Sequence, residues 1–229
     1  MKKNLVVLTG AGISAESGVQ TFRDSNGLWE NHAIEDVATP NGWNRNKELV
    51  LSFYNARRAQ LKQVKPNTAH LCLAEWQKHW NVQIITQNVD DLHERAGSKH
   101  VLHLHGELIK KCSSTNKEKY VTVERNDIRL GDLAPDGSQY RPYIVWFGED
   151  VPAMETAVAI AAKADVLLVI GTSLQVYPAA SLVHYVSTKC ACFVVDNHIP
   201  RVPDFFTPIE MPATKGLPFL YEEYLNKLL

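Results

Sequence analysis

A histidine that follows a short apolar run has the clearest capacity for proton transfer in this sequence. Residues 101–104 lead into His105 and Gly106. An imidazole titrates close to neutral pH, so His105 is a candidate general base. A lone histidine at the end of a strand is more often structural than catalytic, so this pattern by itself leaves both roles open.

His103 stands two residues before His105, which places both side chains on one face of a strand and raises the question of a metal pair. No nearby cluster of Cys, Asp or Glu completes a ligand set, so we predict no metal site here. His70, His93 and His100 have no partner spacing that indicates a ligand, and we interpret them as structural.

A glycine loop near the N-terminus has the composition of a phosphate-binding turn. The apolar run 5–8 suits a strand buried on both faces of a parallel sheet, and a helix is expected to begin near residue 13. Small residues let the backbone approach a ligand, and a helix N-terminus attracts a pyrophosphate. The alternative is a plain tight turn, because the loop lacks the third glycine of the usual dinucleotide motif. Phe22 and Arg23 follow where a loop could close over a nucleotide.

Small or amide-bearing residues follow four of the predicted strands. They are Thr9-Gly10, Gln87-Asn88, Gly171-Thr172-Ser173 and Asp196-Asn197. Ligands of an open parallel sheet bind beyond the carboxyl ends of its strands. Ordinary helix capping explains any one of these clusters, but four at the same end favour a bound dinucleotide.

Three further groups have weaker signals. Asp90 and Asp91 precede a predicted helix, and we expect Asp91 to cap it. Tyr54 and Arg57 are three residues apart on one side of another predicted helix, where they could jointly bind a carboxylate. Arg57 and Arg58 could equally form a solvated face, and spacing alone does not decide.

The order of predicted elements indicates an α/β fold with a Rossmann-like, doubly wound parallel sheet and a small inserted module. We predict strands at 5–8, 82–86, 101–106, 142–147, 165–170 and 192–195, and helices at 46–62, 69–80 (capped by Thr68), 92–96, 151–163 and 179–186. One catalytic domain is expected over 1–229, with its core from about 1–24, 82–106 and 142–229, and a small lobe from 25–80 and 107–141. The segment 107–140 looks polar, with little core of its own.

Composition excludes several classes of protein. The 229 residues are 45% hydrophobic and carry a formal net charge of −1, so we expect neither nonspecific nucleic-acid binding nor attraction to an anionic membrane. No apolar run approaches the length of a membrane span, and no secretory signal precedes the first strand. We therefore expect a cytoplasmic protein. Its four cysteines, Cys72, Cys112, Cys190 and Cys192, are expected to be reduced.

Six motifs stand in the order and spacing of one known family. They are Gly10-Ala11-Gly12-Ile13-Ser14, Phe22-Arg23-Asp24, Thr86-Gln87-Asn88-Val89-Asp90-Asp91-Leu92-His93, His103-Leu104-His105-Gly106, Val145-Trp146-Phe147-Gly148-Glu149 and Gly171-Thr172-Ser173-Leu174. The chain resembles the sirtuin family from about residue 5 to about residue 220. Six motifs in order are far more specific than any one of them.

The resemblance implies an NAD-dependent protein-lysine deacylase. In that reaction the acyl-lysine oxygen attacks C1′ of the nicotinamide ribose, nicotinamide leaves, and the products are free lysine and O-acyl-ADP-ribose. His105 would be the general base and Asn88 a further catalytic group. The implied NAD-binding residues are Gly10, Ala11, Gly12, Ile13, Phe22, Arg23, Trp29, Gln87, Asn88, Asp90, Gly171, Thr172, Ser173, Asn197 and Ala213. Asn197 and Ala213 would lie at the adenosine end.

The resemblance also implies how an acylated-lysine protein or peptide is bound. Residues 145–149 would pair with it as an added strand, through Val145, Trp146, Phe147, Gly148 and Glu149. Tyr54 and Arg57 match the Tyr-x-x-Arg element of the branch that prefers acidic acyl groups, so succinyl- and malonyl-lysine are the expected substrates, with acetyl-lysine also turned over. A monomer is expected.

One departure concerns zinc. Most sirtuins carry two cysteine pairs between the histidine motif and the Phe-Gly-Glu motif, whereas 107–140 contains only Cys112. One thiolate cannot make a four-ligand site, so no zinc is expected. Three alternative functions remain open on the sequence: mono-ADP-ribosyl transfer to protein, a non-catalytic NAD or ADP-ribose sensor, and a dehydrogenase.

Overall fold

The computed structural model describes residues 2–19, 28–29, 32–123 and 127–229. The strands are β1 Asn4–Thr9, β2 Leu28–Trp29, β3 His32–Ala33, β4 Asn81–Thr86, β5 Val101–His103, β6 Gly106–Ser113, β7 Tyr120–Thr122, β8 Tyr140–Ile144, β9 Val166–Ile170, β10 Ala191–Asp196 and β11 Phe206–Glu210. The helices are α1 Gly12–Ala15, α2 Ile34–Val37, α3 Pro40–Arg45, α4 Lys47–Leu61, α5 Thr68–Trp76, α6 Leu92–Ala96, α7 Met154–Ala161 and α8 Ala213–Glu223. Across these ranges, no helix is long and apolar enough to span a bilayer.

Six parallel strands form the main sheet, in the order β11-β10-β9-β1-β4-β5. In chain order this is the doubly wound arrangement of a dinucleotide-binding fold, which confirms the predicted fold class. The chain leaves β1 toward β4 on one side and later returns to β9 on the other. The resulting crevice lies between the carboxyl ends of β1 and β9, where Thr9 is in register with Ile170.

Alternating side chains of the buried strands supply two cores, one on each face of the sheet. Leu5 and Val7 pack with α5 and α8, while Val6 and Leu8 pack with α7 and the 3₁₀ segment Ala179–His184. Because successive side chains of a strand point to opposite faces, an unbroken apolar run is required here. The predicted strand buried on both faces is therefore confirmed.

A second, antiparallel sheet of order β7-β6-β8 packs against α4. Leu108 of β6 and Ile144 of β8 are buried against apolar side chains of α2, α3 and α4. Leu108, Val123 and Ile128 of the segment predicted to have little core of its own join this core, which the segment shares with the three helices. The predicted strand 142–147 belongs to this sheet as β8 and not to the main one.

Several predicted elements differ in detail. Asn67 caps α5, through a side chain that accepts from the amide of Ala69, and Thr68 is already helical. α5 packs on the main sheet although it falls within the range predicted for the small lobe. β5 ends at His103, so His105 lies in the turn before β6. The chain also adds β11 and α8 after the strand predicted to be last. The division into core and lobe stays a prediction.

An exposed carboxylate, that of Asp136, lies next to the end of β6 in the small sheet. Asp136 accepts hydrogen bonds from the hydroxyls of Ser113 at 2.5 Å, Thr115 at 2.9 Å and Ser138 at 2.7 Å. It also accepts from the Ser138 amide at 3.0 Å. These bonds, that of Ser113 foremost, hold the pKa of Asp136 well below its usual value. The carboxylate thus joins the two segments that lead out of β6 and into β8.

Cys112, the one cysteine of the same region, lies away from other zinc-ligand side chains of the described residues. Cys112 is buried and its thiol faces the carbonyl oxygen of Pro142 at 3.9 Å. Within the described residues, no three His, Cys, Asp or Glu side chains come together as metal ligands do. The prediction of no zinc stays a prediction, and metal analysis of the purified protein, which we expect to find far less than one zinc per chain, tests it.

Replacing Asp136 by Ala should lower the melting temperature by about 2–4 °C, because three hydroxyls lose a charged acceptor. Since the folded-state pKa is depressed, this stabilisation should be complete above about pH 4 and disappear as the pH falls further. Thermal unfolding at several pH values measures it. The exposed Asp150→Ala is the matched control, and equal melting temperatures for the two variants would contradict a role for Asp136.

Candidate active site

Two glycine loops meet at the crevice between β1 and β9. The amide of Gly12 donates to the carbonyl oxygen of Gly171 at 2.8 Å, and the amide of Gly10 to Ile170 at 3.0 Å. A Cβ at Gly12 would lie 2.6 Å from Cα of Gly171, and one at Gly171 only 2.4 Å from the amide nitrogen of Ile13. Only glycine permits this approach of backbone to backbone. The loop predicted to bind a nucleotide is thus packed against the loop after β9.

Polar side chains from the neighbouring strands converge on these loops. Gln87, which follows β4, donates from Nε2 to the hydroxyl of Thr172 at 3.0 Å. Asn88 donates from Nδ2 to the Ser14 hydroxyl at 3.2 Å, and that hydroxyl donates to Asp90 Oδ2 at 3.0 Å. Side-chain bonds therefore join two of the four predicted strand ends, those after β4 and β9, and link the one after β4 to helix α1. Burial raises the pKa of Asp90, against the bonds from Leu92 and Ser14 that lower it.

His105 is oriented for proton transfer. Its Nδ1 lies 3.0 Å from the carbonyl oxygen of Gln87, which can only accept, so Nδ1 carries the hydrogen. The Nε2 lone pair is then the basic one. Burial lowers the pKa of His105, although the Gln87 carbonyl opposes this shift. The ring is therefore neutral at neutral pH, which is the form that a general base requires.

His103 does not form a metal pair with His105. Its Nδ1 lies 2.9 Å from the Asn88 carbonyl oxygen and its Nε2 lies 2.8 Å from Glu94 Oε1. With both nitrogens engaged by acceptors, the ring has no lone pair to offer a metal. The absence of a metal site at this histidine pair, which the sequence predicts, stays a prediction.

Two more histidines lie beneath the crevice, and both are buried. His70 Nε2 lies 3.5 Å from the Ser14 hydroxyl, and His93 Nε2 lies 3.1 Å from the Thr9 hydroxyl. Burial lowers the pKa of His70 to about 4 and that of His93 well below its ordinary value. Both are neutral supports of the strand-end hydroxyls, in keeping with the structural role predicted for them.

Helix α4 places Tyr54 and Arg57 in the interior of the protein. Tyr54 is fully buried and its hydroxyl accepts from Trp146 Nε1 at 3.0 Å. Arg57 is 5% exposed, with its guanidinium 5.9 Å from the centre of the Phe53 ring. Burial raises the pKa of Tyr54, while the bond from Trp146 and then the charge of Arg57 act to lower it. The alternative of a solvated arginine face was wrong, since Arg58 is buried as well.

The segment 145–149 is a turn rather than a regular strand. Amides of Val145 and Phe147 donate to His105 at 2.9 Å and to Ala38 at 3.0 Å, so these two amides are already bonded. Glu149 accepts from the Trp146 amide at 2.9 Å and forms ion pairs with Arg141 at 2.8 Å and Lys117 at 2.7 Å. Burial alone would raise the pKa of Glu149, but Arg141 leads the contacts that lower it.

The remaining residues predicted to bind NAD differ in burial, and two of them lie outside the described residues. Ala213 is buried at the start of α8, and Thr214 beside it donates to Glu16, which follows α1. Asn197 is exposed after β10, and Ser173 is half-buried. Phe22 and Arg23 lie outside the described residues, and Trp29 is described only as part of β2.

The residue predicted to cap α6 does not do so through its side chain. Asp91 makes no side-chain cap for α6; Asp90 Oδ1 instead accepts from the Leu92 amide at 3.2 Å.

A family model described as the Sir2 family matches residues 10–178. The chain belongs to the Sir2 family. An NAD-dependent protein deacylase of Bacteroides thetaiotaomicron is 57% identical over 199 residues, which cover 85% of each protein. A solved complex of a Sir2 homologue mutant with ADP-ribose is 35% identical, with a TM-score of 0.88 over 99% of this chain and 94% of that one. A solved Sir2–p53 peptide–NAD⁺ complex is 32% identical, with a TM-score of 0.79 over 97% and 93% of the two chains.

Sequence reasoning missed several residues that organise the site of this sirtuin. Ser14 links Asn88 to Asp90 and was noted only as part of a motif. Arg141 is buried, stacks on Trp146 with 3.2 Å to the ring centre, and holds Glu149. Ser14 has no local signal of this kind, because its partners Asn88 and Asp90 are far away in the chain. Arg141 lies just before a predicted strand, and its spacing to Trp146 and Glu149 does not by itself indicate a buried arginine.

Replacing His105 by Ala should lower the deacylation rate by about 10²–10⁴-fold while leaving the fold intact, because the crevice loses its neutral base. In the wild type, activity should persist as the pH falls to 6.5 and be lost below it, since the pKa of His105 is lowered. Steady-state kinetics against pH, with NAD binding measured by calorimetry, checks both points. His79→Ala, an exposed histidine just before β4, is the control. Full activity of His105→Ala would refute the assignment.

Proposed function

We propose that the chain is an NAD-dependent protein-lysine deacylase that removes succinyl and malonyl groups, and acetyl groups as well. The observation that supports this most directly is the neutral, oriented imidazole of His105 at the crevice between two packed glycine loops. Membership of the Sir2 family supports the use of NAD and of an acylated lysine.

The crevice fits a dinucleotide. The backbone of Gly10, Gly12 and Gly171 lines its floor, where a Cβ would meet atoms of the opposite loop at 2.4–2.6 Å. Because these residues have no side chains, a ligand could approach the backbone of both loops closely. Gln87 and Asn88 supply amides near the same point, and Asp90 a carboxylate. Ala213 and Asn197 extend the site toward an adenosine. In this assignment they hold the cofactor, with Ala11, Ile13, Thr172 and Ser173 completing its lining.

Bound NAD would supply the electrophilic C1′ of its nicotinamide ribose as the acceptor of the acyl oxygen. His105 would accept a proton from a ribose hydroxyl on its Nε2, since Nδ1 is fixed by the Gln87 carbonyl. Asn88 is held on two sides, by Ser14 through its side chain and by Thr86 through its amide at 3.0 Å. A side chain fixed in this way loses little freedom when it engages a substrate.

An acidic acyl group is favoured by the chemistry of α4. Arg57 is buried, and a guanidinium in a poorly hydrated place binds a carboxylate through two parallel hydrogen bonds. Tyr54 lies one turn earlier and is fixed by Trp146 of the segment assigned to the acyl-lysine peptide. The distal carboxylate of a succinyl-lysine is the substrate group that these two residues would recognise. An acetyl group has no carboxylate for them.

Arg57→Met should lower kcat/KM for a succinyl-lysine peptide by about tenfold or more while changing that for the acetyl-lysine peptide of the same sequence by less than about twofold. Only the succinyl substrate loses a charge-assisted hydrogen bond. Mass spectrometry of acetyl-, malonyl- and succinyl-lysine peptides incubated with NAD measures the rates. Arg45→Met, which removes an exposed arginine of α3, is the matched control. Acetyl removal by the wild type that far outpaces succinyl removal would defeat the preference.

A further inference from the structure

His103 uses both ring nitrogens to join the loop of Asn88 to helix α6. Nδ1 lies 2.9 Å from the Asn88 carbonyl oxygen and Nε2 lies 2.8 Å from Oε1 of Glu94. A carbonyl and an ionised carboxylate only accept, so both nitrogens must carry hydrogens and the ring is an imidazolium. We propose that His103, kept charged by Glu94, is a positioning residue that holds the backbone of Asn88 in register with His105.

The bond to Asn88 belongs to a ladder between two segments. Four consecutive carbonyl oxygens accept from the stretch that carries His105: Thr86 from the Leu104 amide at 2.9 Å, Gln87 from His105 Nδ1 at 3.0 Å, Asn88 from His103 Nδ1 at 2.9 Å, and Val89 from the Leu108 amide at 2.8 Å. Backbone amides keep their hydrogens at any pH of interest, and a neutral His105 keeps the one on Nδ1. His103 alone among these four donors must give up one of its two bonds when it loses a proton.

The surroundings of His103 favour its charge. Burial alone would lower the pKa of His103, but the bond to Glu94 leads the contacts that raise it above the ordinary value of 6.5. The other titratable groups that face it are Glu107 on β6, which also favours the charge, and Asp90 and His93, whose own pKa values its charge lowers. The His103 side chain is 6% exposed and that of Glu94 41%, so solvent screens only one partner.

A rise in pH should therefore loosen the site. The folded-state pKa of His103 is raised above 6.5. Both of its hydrogen bonds, to Asn88 and to Glu94, are therefore formed below about pH 6.5, and one of them is lost as the pH rises through the raised pKa. The inference rests on the proposed roles of Asn88 and His105, because only then does a looser Asn88 backbone slow the reaction. Activity should decline on the alkaline side through His103 and on the acid side through His105.

Glu94→Gln isolates the charge, because the amide keeps the size and an accepting oxygen. Measured from about pH 4 to about pH 10, the alkaline midpoint of kcat should move down by about one pH unit, while the acid limb stays in place. Glu75→Gln, which removes an exposed carboxylate of α5 paired with Lys78, should leave both limbs unchanged. A Glu94→Gln profile that coincides with the wild type would overturn the proposal.

A second pair of measurements separates positioning from plain structural support. His103→Asn keeps a donor near the Nδ1 position but cannot reach Glu94, so we expect it to retain more activity than His103→Phe, which should lose about tenfold or more in kcat. Equal losses in the two variants, or lower melting temperatures with pH profiles of unchanged shape, would refute positioning.

Ring nitrogen NMR of the wild type at pH 6.5 tests the charge without any turnover. A doubly protonated His103 that becomes largely neutral in Glu94→Gln supports the proposal, and a neutral ring in the wild type overturns it. If no acyl-lysine peptide is consumed by the wild type, the proposed function fails, and the NMR result still decides the state of His103.

Discussion

The close approach of two backbone loops at the switch point of the sheet is the constraint on which this site depends. The bond of 2.8 Å from the Gly12 amide to Gly171 sets how near the loops after β1 and β9 can lie. All six strands are parallel and end at the same edge, so fixing these two loops also fixes the place where Gln87 and Asn88 arrive from β4. A side chain at either glycine would push the loops apart and separate Gln87 from Thr172.

The partners of each histidine, rather than burial alone, decide its charge. His70, His93 and His105 are removed from water and, among the residues that the structure describes, have no carboxylate partner of the kind that His103 has, and their pKa values fall. His103 is removed from water as well, yet Glu94 and Glu107 raise its pKa. Desolvation and ion pairing act in opposite directions on an imidazolium, and the nearest carboxylate determines which one wins. The site thereby has a histidine whose pKa is lowered and one whose pKa is raised, two residues apart.

The ends of the strands could be predicted from the sequence because their signal is local. An apolar run followed by small or amide-bearing residues indicates both the buried strand and its ligand-facing end, as at Thr9 and Gln87. For Tyr54 and Arg57 the spacing left two interpretations open, and the resemblance favoured a carboxylate site. Their burial could not be predicted, because an arginine on a surface of a helix is buried only when a second sheet covers that surface.

The last strand and helix were missed for a physical reason. Pro208 lies within β11, which tolerates it because β11 is the edge strand of the sheet. Gly216 and Pro218 interrupt α8 and weaken its helical pattern. The glycine is needed nonetheless, since a Cβ there would lie 2.4 Å from Cγ1 of Val195. Gly216, which looks like a helix breaker, is thus a residue that lets α8 pack on β10.

The small sheet and the proposed acyl pocket are parts of one network. Arg141 of β8 stacks on Trp146 and binds Glu149, and Glu149 in turn accepts from the Trp146 amide. Trp146 donates to Tyr54, so the hydroxyl proposed to meet the acyl group is held from the small sheet. Four bonded groups in series leave little freedom to any of them. The position of β8, which carries Arg141, therefore bears on the shape of the proposed acyl pocket.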